Sequence, residues 1–195
     1  MDFNRKKWLT VFKKFLPKDE IPFNCQGIHY CKETQLVVAA DGQKLITSKL
    51  LWENELEGLT IQPDTMEVLR RDYPKWQTIV PVKEYYNEYL VSIPLLPARE
   101  KEFNFGLITQ EVGGKQMEVK KFVKEINLDT INDALPAENQ LVPSVWLRGK
   151  HLMALPFPTL KCRVRSADAV VHFFDEDDDS FNIYIMPMKI TKGKK

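Results

Sequence analysis

The clearest hydrophobic pattern in the chain is an apolar run over residues 36–40, followed by Asp41-Gly42 and a second run that begins at Lys44. Asp-Gly supplies the positive backbone φ that a tight two-residue turn needs, so this stretch predicts a β-hairpin. Successive residues of a strand face opposite sides of the sheet. Because residues 36–40 are apolar throughout, we expect both faces of the hairpin to be covered.

A second pattern, near the start of the chain, predicts an amphipathic helix over residues 3–15, which Pro17 stops. Its apolar residues recur at spacings of three and four: Trp8, Val11, Phe12 and Phe15. The other face is basic and carries Arg5, Lys6, Lys13 and Lys14. A solvated helix face is the ordinary explanation of such a pattern, and a surface that faces phosphates is the alternative.

The rest of the chain predicts many short strands separated by turn residues. They cover residues 23–30, 35–40, 44–50, 76–82, 86–93, 103–111, 117–122, 140–146, 151–155, 160–165, 167–174 and 181–189. A short helical pattern surrounds residues 65–69. A further helix is expected to take Asp129 as its N-cap and to end at Pro136, and Arg148-Gly149 is expected to form a turn between two strands.

These elements predict an α+β fold with antiparallel sheets and one or two short helices per domain. Pro94 and Pro97 mark the expected linker. We therefore predict one domain over residues 1–93, a linker over 94–101 and a second domain over 102–195.

Composition narrows the class of protein. The chain has 195 residues, 44% of them hydrophobic and 28% charged, which is typical of a globular protein with a substantial core. No apolar run approaches the ~20 residues of a membrane-spanning helix, and the first residues are basic rather than a secretory apolar core. We expect a cytoplasmic protein with no membrane partner.

Signals for catalysis are weak. The three cysteines form no CxxC pair and are expected to be buried thiols, and His29, His151 and His172 lack a second ligand at metal-binding spacing. The acidic block over residues 175–179 lacks the glycine-assisted turn of an ion-binding loop and predicts a solvated loop. Glycine-rich phosphate loops and GxSxG are absent from the sequence. We expect no enzyme activity, no metal and no cofactor.

Three stretches, taken in order, resemble the bacterial β sliding clamp, the processivity ring of the replicative DNA polymerase. Clamps carry ATDGHRL where this chain has residues 39–45 (AADGQKL), and FPDYRRVLP where it has residues 73–81 (YPKWQTIVP). They end in a strand of the form YVVMPMRL, which residues 183–190 (IYIMPMKI) match. The resemblance implies a DNA-clamp-like fold.

In the clamp family these segments converge on an apolar pocket that binds a short peptide of a polymerase, clamp loader or repair protein. The resemblance implies that the pocket is lined here by Gly42, Lys44, Leu45, Pro74, Thr78, Ile79, Ile185, Met186, Pro187 and Met188. Methionines beside a proline would give a deformable wall that suits varied peptides. The sequence departs from the family at Gln43, Lys44, Lys75 and Thr78, so the peptide specificity does not transfer.

Clamps hold double-stranded DNA topologically and without sequence specificity, with basic helices facing the phosphates. The resemblance assigns this role to Arg5, Lys6, Lys13 and Lys14. The chain is shorter than a three-domain clamp and would supply two reduced domains, similar to the middle and last. Ring closure would then require a homo-oligomer, either a dimer or a trimer.

Two other functions stay open at this point. The chain could be a clamp-fold adaptor or decoy that binds proteins without encircling DNA. It could also be an unrelated α+β protein that binds a small ligand.

Overall fold

The computed structural model describes residues 4–18, 26–69, 72–80, 87–112, 115–175 and 181–189. The chain folds as two compact units. The first comprises Met1–Pro81 and Phe173–Ile185, and the second comprises Val82–His172 and Met186–Lys195. Residues 94–101, predicted as a linker, lie within the second unit and contain a 3-10 helix over Ala98–Glu100.

Three α-helices and twelve strands are described. The helices are α1 (Arg5–Lys13), α2 (Glu125–Asp133) and α3 (Gly149–Leu152). The strands are β1 (Ile28–Cys31), β2 (Leu36–Ala40), β3 (Lys44–Ser48), β4 (Thr60–Ile61), β5 (Val68–Leu69), β6 (Asn87–Ser92), β7 (Asn104–Val112), β8 (Lys115–Lys124), β9 (Pro143–Arg148), β10 (Thr159–Val164), β11 (Val171–Phe174) and β12 (Phe181–Ile185). The predicted fold class, a sheet-rich α+β protein with few helices, is confirmed.

Helix α1 forms where the hydrophobic spacing predicts it. Asn4 caps its N-terminus, because the Asn4 side-chain oxygen accepts a hydrogen bond from the Lys7 N–H at 3.0 Å. The predicted apolar face is buried: Trp8, Val11, Phe12 and Phe15 are all less than 8% exposed. The helix ends at Lys13, before Pro17 is reached.

In the first unit the strands lie in the order β5-β4-β1-β2-β3-β12, and each neighbouring pair is antiparallel. The predicted β2–β3 hairpin is confirmed, with Ala40 opposite Leu45. Its two-residue loop is Gly42-Gln43, and Gly42 has φ +83°. Glycine with positive φ at the first loop position is typical of a type II′ turn. Residues 37–40 are all buried, so both faces of the hairpin are covered as expected.

Two predictions in this unit are wrong. Residues 65–69 are not helical, because Val68 and Leu69 pair with β4 as strand β5. Residues 76–79 form a 3-10 helix rather than a strand, because the segment bonds within itself: the Val80 N–H donates to the Gln77 carbonyl at 3.3 Å, and the Thr78 hydroxyl donates to the Lys75 carbonyl at 2.9 Å. The other predicted strand segments over 23–25 and 81–86, and the acidic block from residue 176, lie outside the described residues.

In the second unit, β7 pairs antiparallel with both β8 and β9, and β6 pairs antiparallel with β10. A single parallel pair, Ser92 opposite Lys121, joins β6 to β8. Helix α2 packs through Leu128 and Ile131 on Ile108 and Val123. The sheet core of this unit is therefore covered by α2.

Three predictions in this unit are wrong. Asp129 lies inside α2, whose N-cap is Lys124. Residues 148–149 do not form a turn between strands, and 151–155 are not a strand. The reason is a backbone connection: the Gly149 N–H donates to the Phe103 carbonyl at 2.8 Å, and the Lys150 N–H donates to the Lys101 carbonyl at 2.8 Å. These bonds fix the chain at the start of the one-turn helix α3.

Candidate functional site

The hairpin and the last strand, which are distant in sequence, are neighbours in the first unit. Strand β12 pairs with β3 so that Lys44 lies opposite Ile185 and Leu45 lies opposite Tyr184. Leu45 and Ile185 are both fully buried. Two of the three stretches of the clamp resemblance are thus joined by backbone pairing, and Lys44, Leu45 and Ile185 come together at their junction.

The turn of the hairpin is organised by one carboxylate. The Asp41 Oδ1 atom accepts hydrogen bonds from the Gln43 N–H at 3.0 Å and from the Lys44 N–H at 2.9 Å. A Cβ atom built on Gly42 would meet nothing within 4 Å, so the tip of the turn is open. Gly42 therefore lies at the exposed end of the hairpin.

The Lys44 side chain points away from the tip. Its Nζ atom lies 2.5 Å from the Asp41 Oδ2 atom and 2.5 Å from the Lys14 carbonyl oxygen, and the side chain is only 9% exposed. It also lies 5.3 Å from the centre of the Phe15 ring. The ammonium group of Lys44 therefore makes its contacts with the end of α1 and with its own turn.

The third stretch of the resemblance is held against β1. The Tyr73 ring stacks on the His29 ring, with centroids 4.7 Å apart and an interplanar angle of 6°. The Gln77 Nε2 atom donates to the Cys31 Sγ atom at 3.7 Å. The side chains of Pro74, Thr78 and Ile79 are exposed, and Ile79 keeps 44% of its surface in solvent.

An open cleft of about 390 Å³ lies between β1 and the segment around Tyr73. Its lining residues are His29, Cys31, Glu33, Tyr73, Pro74, Lys75, Trp76 and Gln77. The His29 Nδ1 atom lies 3.0 Å from the Thr60 Oγ1 atom. Burial lowers the pKa of His29 below its ordinary value of 6.5, against the opposing effect of the Glu33 carboxylate.

The sequence favoured a surface or core role for His29 over a metal or catalytic one, and it did not predict the contact with Tyr73. The contact joins β1 to the segment around Tyr73, which is far from β1 in sequence. A polar residue in an otherwise apolar strand, next to Tyr30, was the available signal.

The residues after β12 carry the predicted methionines, which belong to the second unit. Met186 is 44% exposed, and Pro187 and Met188 are partly buried. The Met188 N–H donates to the Trp146 carbonyl oxygen at 2.9 Å. This bond fixes the backbone of the methionine segment beside β9, while the Met186 side chain stays accessible.

The basic face of α1 is partly neutralised by acidic neighbours. Arg5 pairs with Glu53 at 2.5 Å, and Lys13 pairs with Asp64. Lys6 and Lys14 are exposed. Within the described part of the chain, Lys6 and Lys14 are the members of the predicted DNA-facing set that have no carboxylate partner.

The other histidines and the described cysteines lie in the interior. His151 and His172 are 4% and 2% exposed, and Cys31 and Cys162 are buried free thiols. Arg163 Nη1 approaches His172 Nδ1 at 3.3 Å. Over the described residues, no three His, Cys, Asp or Glu side chains are grouped as a metal site, and no described helix is long and apolar enough to cross a membrane.

The architecture matches solved structures of bacterial sliding clamps. DNA polymerase III subunit beta from Borrelia burgdorferi, in complex with a natural product, superposes with a TM-score of 0.61 at 13% identity, over 95% of this chain and 61% of that one. The sliding clamp from Bacillus subtilis gives a TM-score of 0.61 at 12% identity, over 95% and 62%. The sliding clamp from Caulobacter crescentus gives 0.62 at 11% identity, over 95% and 64%.

The chain has the sliding-clamp fold. It spans less than two thirds of the length of each of these clamps. At these low identities the likeness concerns the clamp fold alone. No protein-family model and no curated protein sequence matches the chain.

Proposed function

We propose that this protein is a reduced, non-enzymatic sliding clamp that tethers replication or repair enzymes to double-stranded DNA. Its two units would correspond to two shortened clamp domains. Partner peptides would dock on an apolar groove formed over the ten residues named above for the pocket. The buried side chains of Leu45 and Ile185 would lie beneath its surface, and the Lys44 side chain would be turned away from it. Tethering would act by raising the effective concentration of an enzyme at its DNA substrate.

The observation that carries the proposal is the pairing of the hairpin with the last strand inside a clamp fold. Lys44 lies opposite Ile185, and the chain continues from Ile185 into Met186, which supports a groove that includes both segments. Ile79 and Met186 each leave 44% of their surface in solvent. Exposed large apolar side chains of this kind are the anchors that a binding groove offers to a peptide.

Peptide binding gives the first test. A fluorescent clamp-binding peptide derived from a bacterial replicative polymerase is titrated with the protein, and anisotropy is recorded. We expect saturable binding that Met186→Asp abolishes, because the charge would have to be desolvated in an apolar groove. Met153→Asp is the matched control, since Met153 is 37% exposed in the same unit. Equal loss in both variants, or no binding by the wild type, would contradict the proposal.

The assembly gives the second test. Closing a ring from two-domain chains needs more than one copy, so light scattering after size exclusion should give a dimer or trimer of the 22.8-kDa chain. A monomer at every concentration tested would exclude encirclement of DNA.

One observation favours a second candidate, an adaptor or decoy that binds partner proteins without DNA. Two of the four basic residues predicted to face DNA are paired with Glu53 and Asp64. Such pairing reduces the positive charge available to phosphates. The adaptor would bind the peptide with the same sensitivity to Met186→Asp but would be monomeric and would not be retained on circular DNA.

A further inference from the structure

Lys44 connects helix α1, to which the proposed function gives the DNA-facing residues, with the β2–β3 hairpin, to which it gives partner-binding residues. The Lys44 Nζ atom reaches the Lys14 carbonyl oxygen and the Asp41 Oδ2 atom, each at 2.5 Å. Lys14 is the C-cap of α1, the helix with the predicted DNA-facing residues. Asp41 lies at the turn of the hairpin with the predicted partner-binding residues. The inference below therefore rests on the proposed function.

On the helix side, Lys44 meets a group that needs a partner. The last carbonyl groups of a helix lack intrahelical donors and carry partial negative charge. A cation at this position satisfies a carbonyl and interacts favourably with the helix dipole. The Lys44 ammonium group does both, and it also lies over the Phe15 ring, which is fully buried. Because the Lys44 side chain is 9% exposed, solvent screens these contacts little.

On the hairpin side, the two carboxylate oxygens of Asp41 make different contacts. Oδ1 accepts from the N–H groups of Gln43 and Lys44 and so fixes the turn. Oδ2 holds the Lys44 ammonium group. The backbone of Lys44 is in turn paired opposite Ile185. A displacement of the hairpin would therefore move the Lys44 side chain and its contact with the end of α1.

We infer that Lys44 is a positioning residue that couples the C-terminal end of α1 to the partner-binding hairpin. Its side chain does not line the groove but sets how the hairpin and the helix end are placed relative to each other within the first unit. Binding of a peptide at the hairpin then orders the last turn of α1. By thermodynamic reciprocity, a ligand that orders the helix end strengthens peptide binding by the same factor.

The link is tested first in the peptide-free protein by amide hydrogen exchange. Asp41→Asn keeps a side-chain oxygen for the turn but removes the charge that holds Lys44. We expect the N–H groups of Phe15 and Leu16, which bond to the Phe12 and Lys13 carbonyls, to exchange at least about fivefold faster. Lys44→Met should have the same effect, and Lys44→Arg should restore most of the protection.

Asp64→Asn is the matched control. It removes the partner of Lys13 at the same end of the helix, but the two side chains are 40% and 65% exposed. Exposed pairs contribute little, so exchange at Phe15 should change less than about twofold. Unchanged exchange at Phe15 in both Asp41→Asn and Lys44→Met would overturn the inference.

The second measurement adds the polymerase-derived peptide at saturation. We expect it to slow exchange at Phe15 at least about fivefold in the wild type, the lower end of typical coupling between sites, and not in Lys44→Met. Equal protection in both proteins would overturn the coupling. Failure of the wild type to bind the peptide would refute the proposed function instead, while the peptide-free comparison decides the Lys44 link independently.

Discussion

If Met186 and Ile79 anchor a peptide in the proposed groove, truncating either side chain should weaken peptide binding by an amount set by its exposed surface. Full burial of a Met or Ile side chain contributes about 1.5–3 kcal/mol. Met186 and Ile79 each have 44% of their surface left to bury. The remaining contribution is therefore about 0.7–1.3 kcal/mol per side chain, which corresponds to a loss of affinity of about 3- to 9-fold.

The assay is the anisotropy titration with Met186→Ala, Ile79→Ala and the double variant. If the two side chains contact the peptide independently, their free-energy losses add, and the double variant should lose about 10- to 80-fold. Met153→Ala, with 37% exposure outside the proposed groove, should bind like the wild type. Wild-type affinity in both single variants would refute the assignment of Ile79 and Met186 to one groove.

Three further predictions concern the framework around the site. Burial lowers the pKa of His29, so the unfolded chain binds the proton more tightly than the folded chain does. The free energy of unfolding should therefore fall as pH drops below about 6.5. Urea titrations should show a shallower fall for the His29→Gln variant. Gly106→Ala should lower the free energy of unfolding by about 1–3 kcal/mol in the same assay, because a Cβ atom there would lie 2.6 Å from the Pro143 Cγ atom. Glu53→Gln removes the carboxylate that pairs with Arg5. If α1 faces DNA, the slope of log binding constant against log salt concentration should then steepen by about 0.9. An unchanged slope would place Arg5 away from phosphates.

Local sequence patterns predicted the elements whose structure depends mainly on neighbouring residues. The hairpin was predictable because Asp41 and Gly42 determine the turn and the flanking apolar residues determine its burial. Helix α1 was predictable because four apolar side chains at helical spacing meet a single core. Both elements are confirmed by the structure.

The errors come from contacts between distant parts of the chain. The segment from Trp76 has the β-rich composition of a strand, but it forms a 3-10 helix, and its Gln77 side chain contacts Cys31 of β1. The short helix α3 begins where backbone bonds to Phe103 and Lys101 hold Gly149 and Lys150, which no local pattern signals. The resemblance predicts which residues form the candidate site, but the inward turn of the Lys44 side chain toward α1 depends on tertiary contacts that no local pattern signals.

The most direct test of the proposed tether is a methyl NMR titration of the protein with the polymerase-derived peptide. The Met methyl groups report on the two methionines of the last segment and on Met153 in one spectrum, and the Ile and Leu methyl groups report on Ile79 and Leu45. The proposed groove predicts saturable shifts at Met186, Ile79 and Leu45, with Met153 unchanged. Absence of shifts at these three residues at saturating peptide, or shifts at Met153 alone, would contradict it.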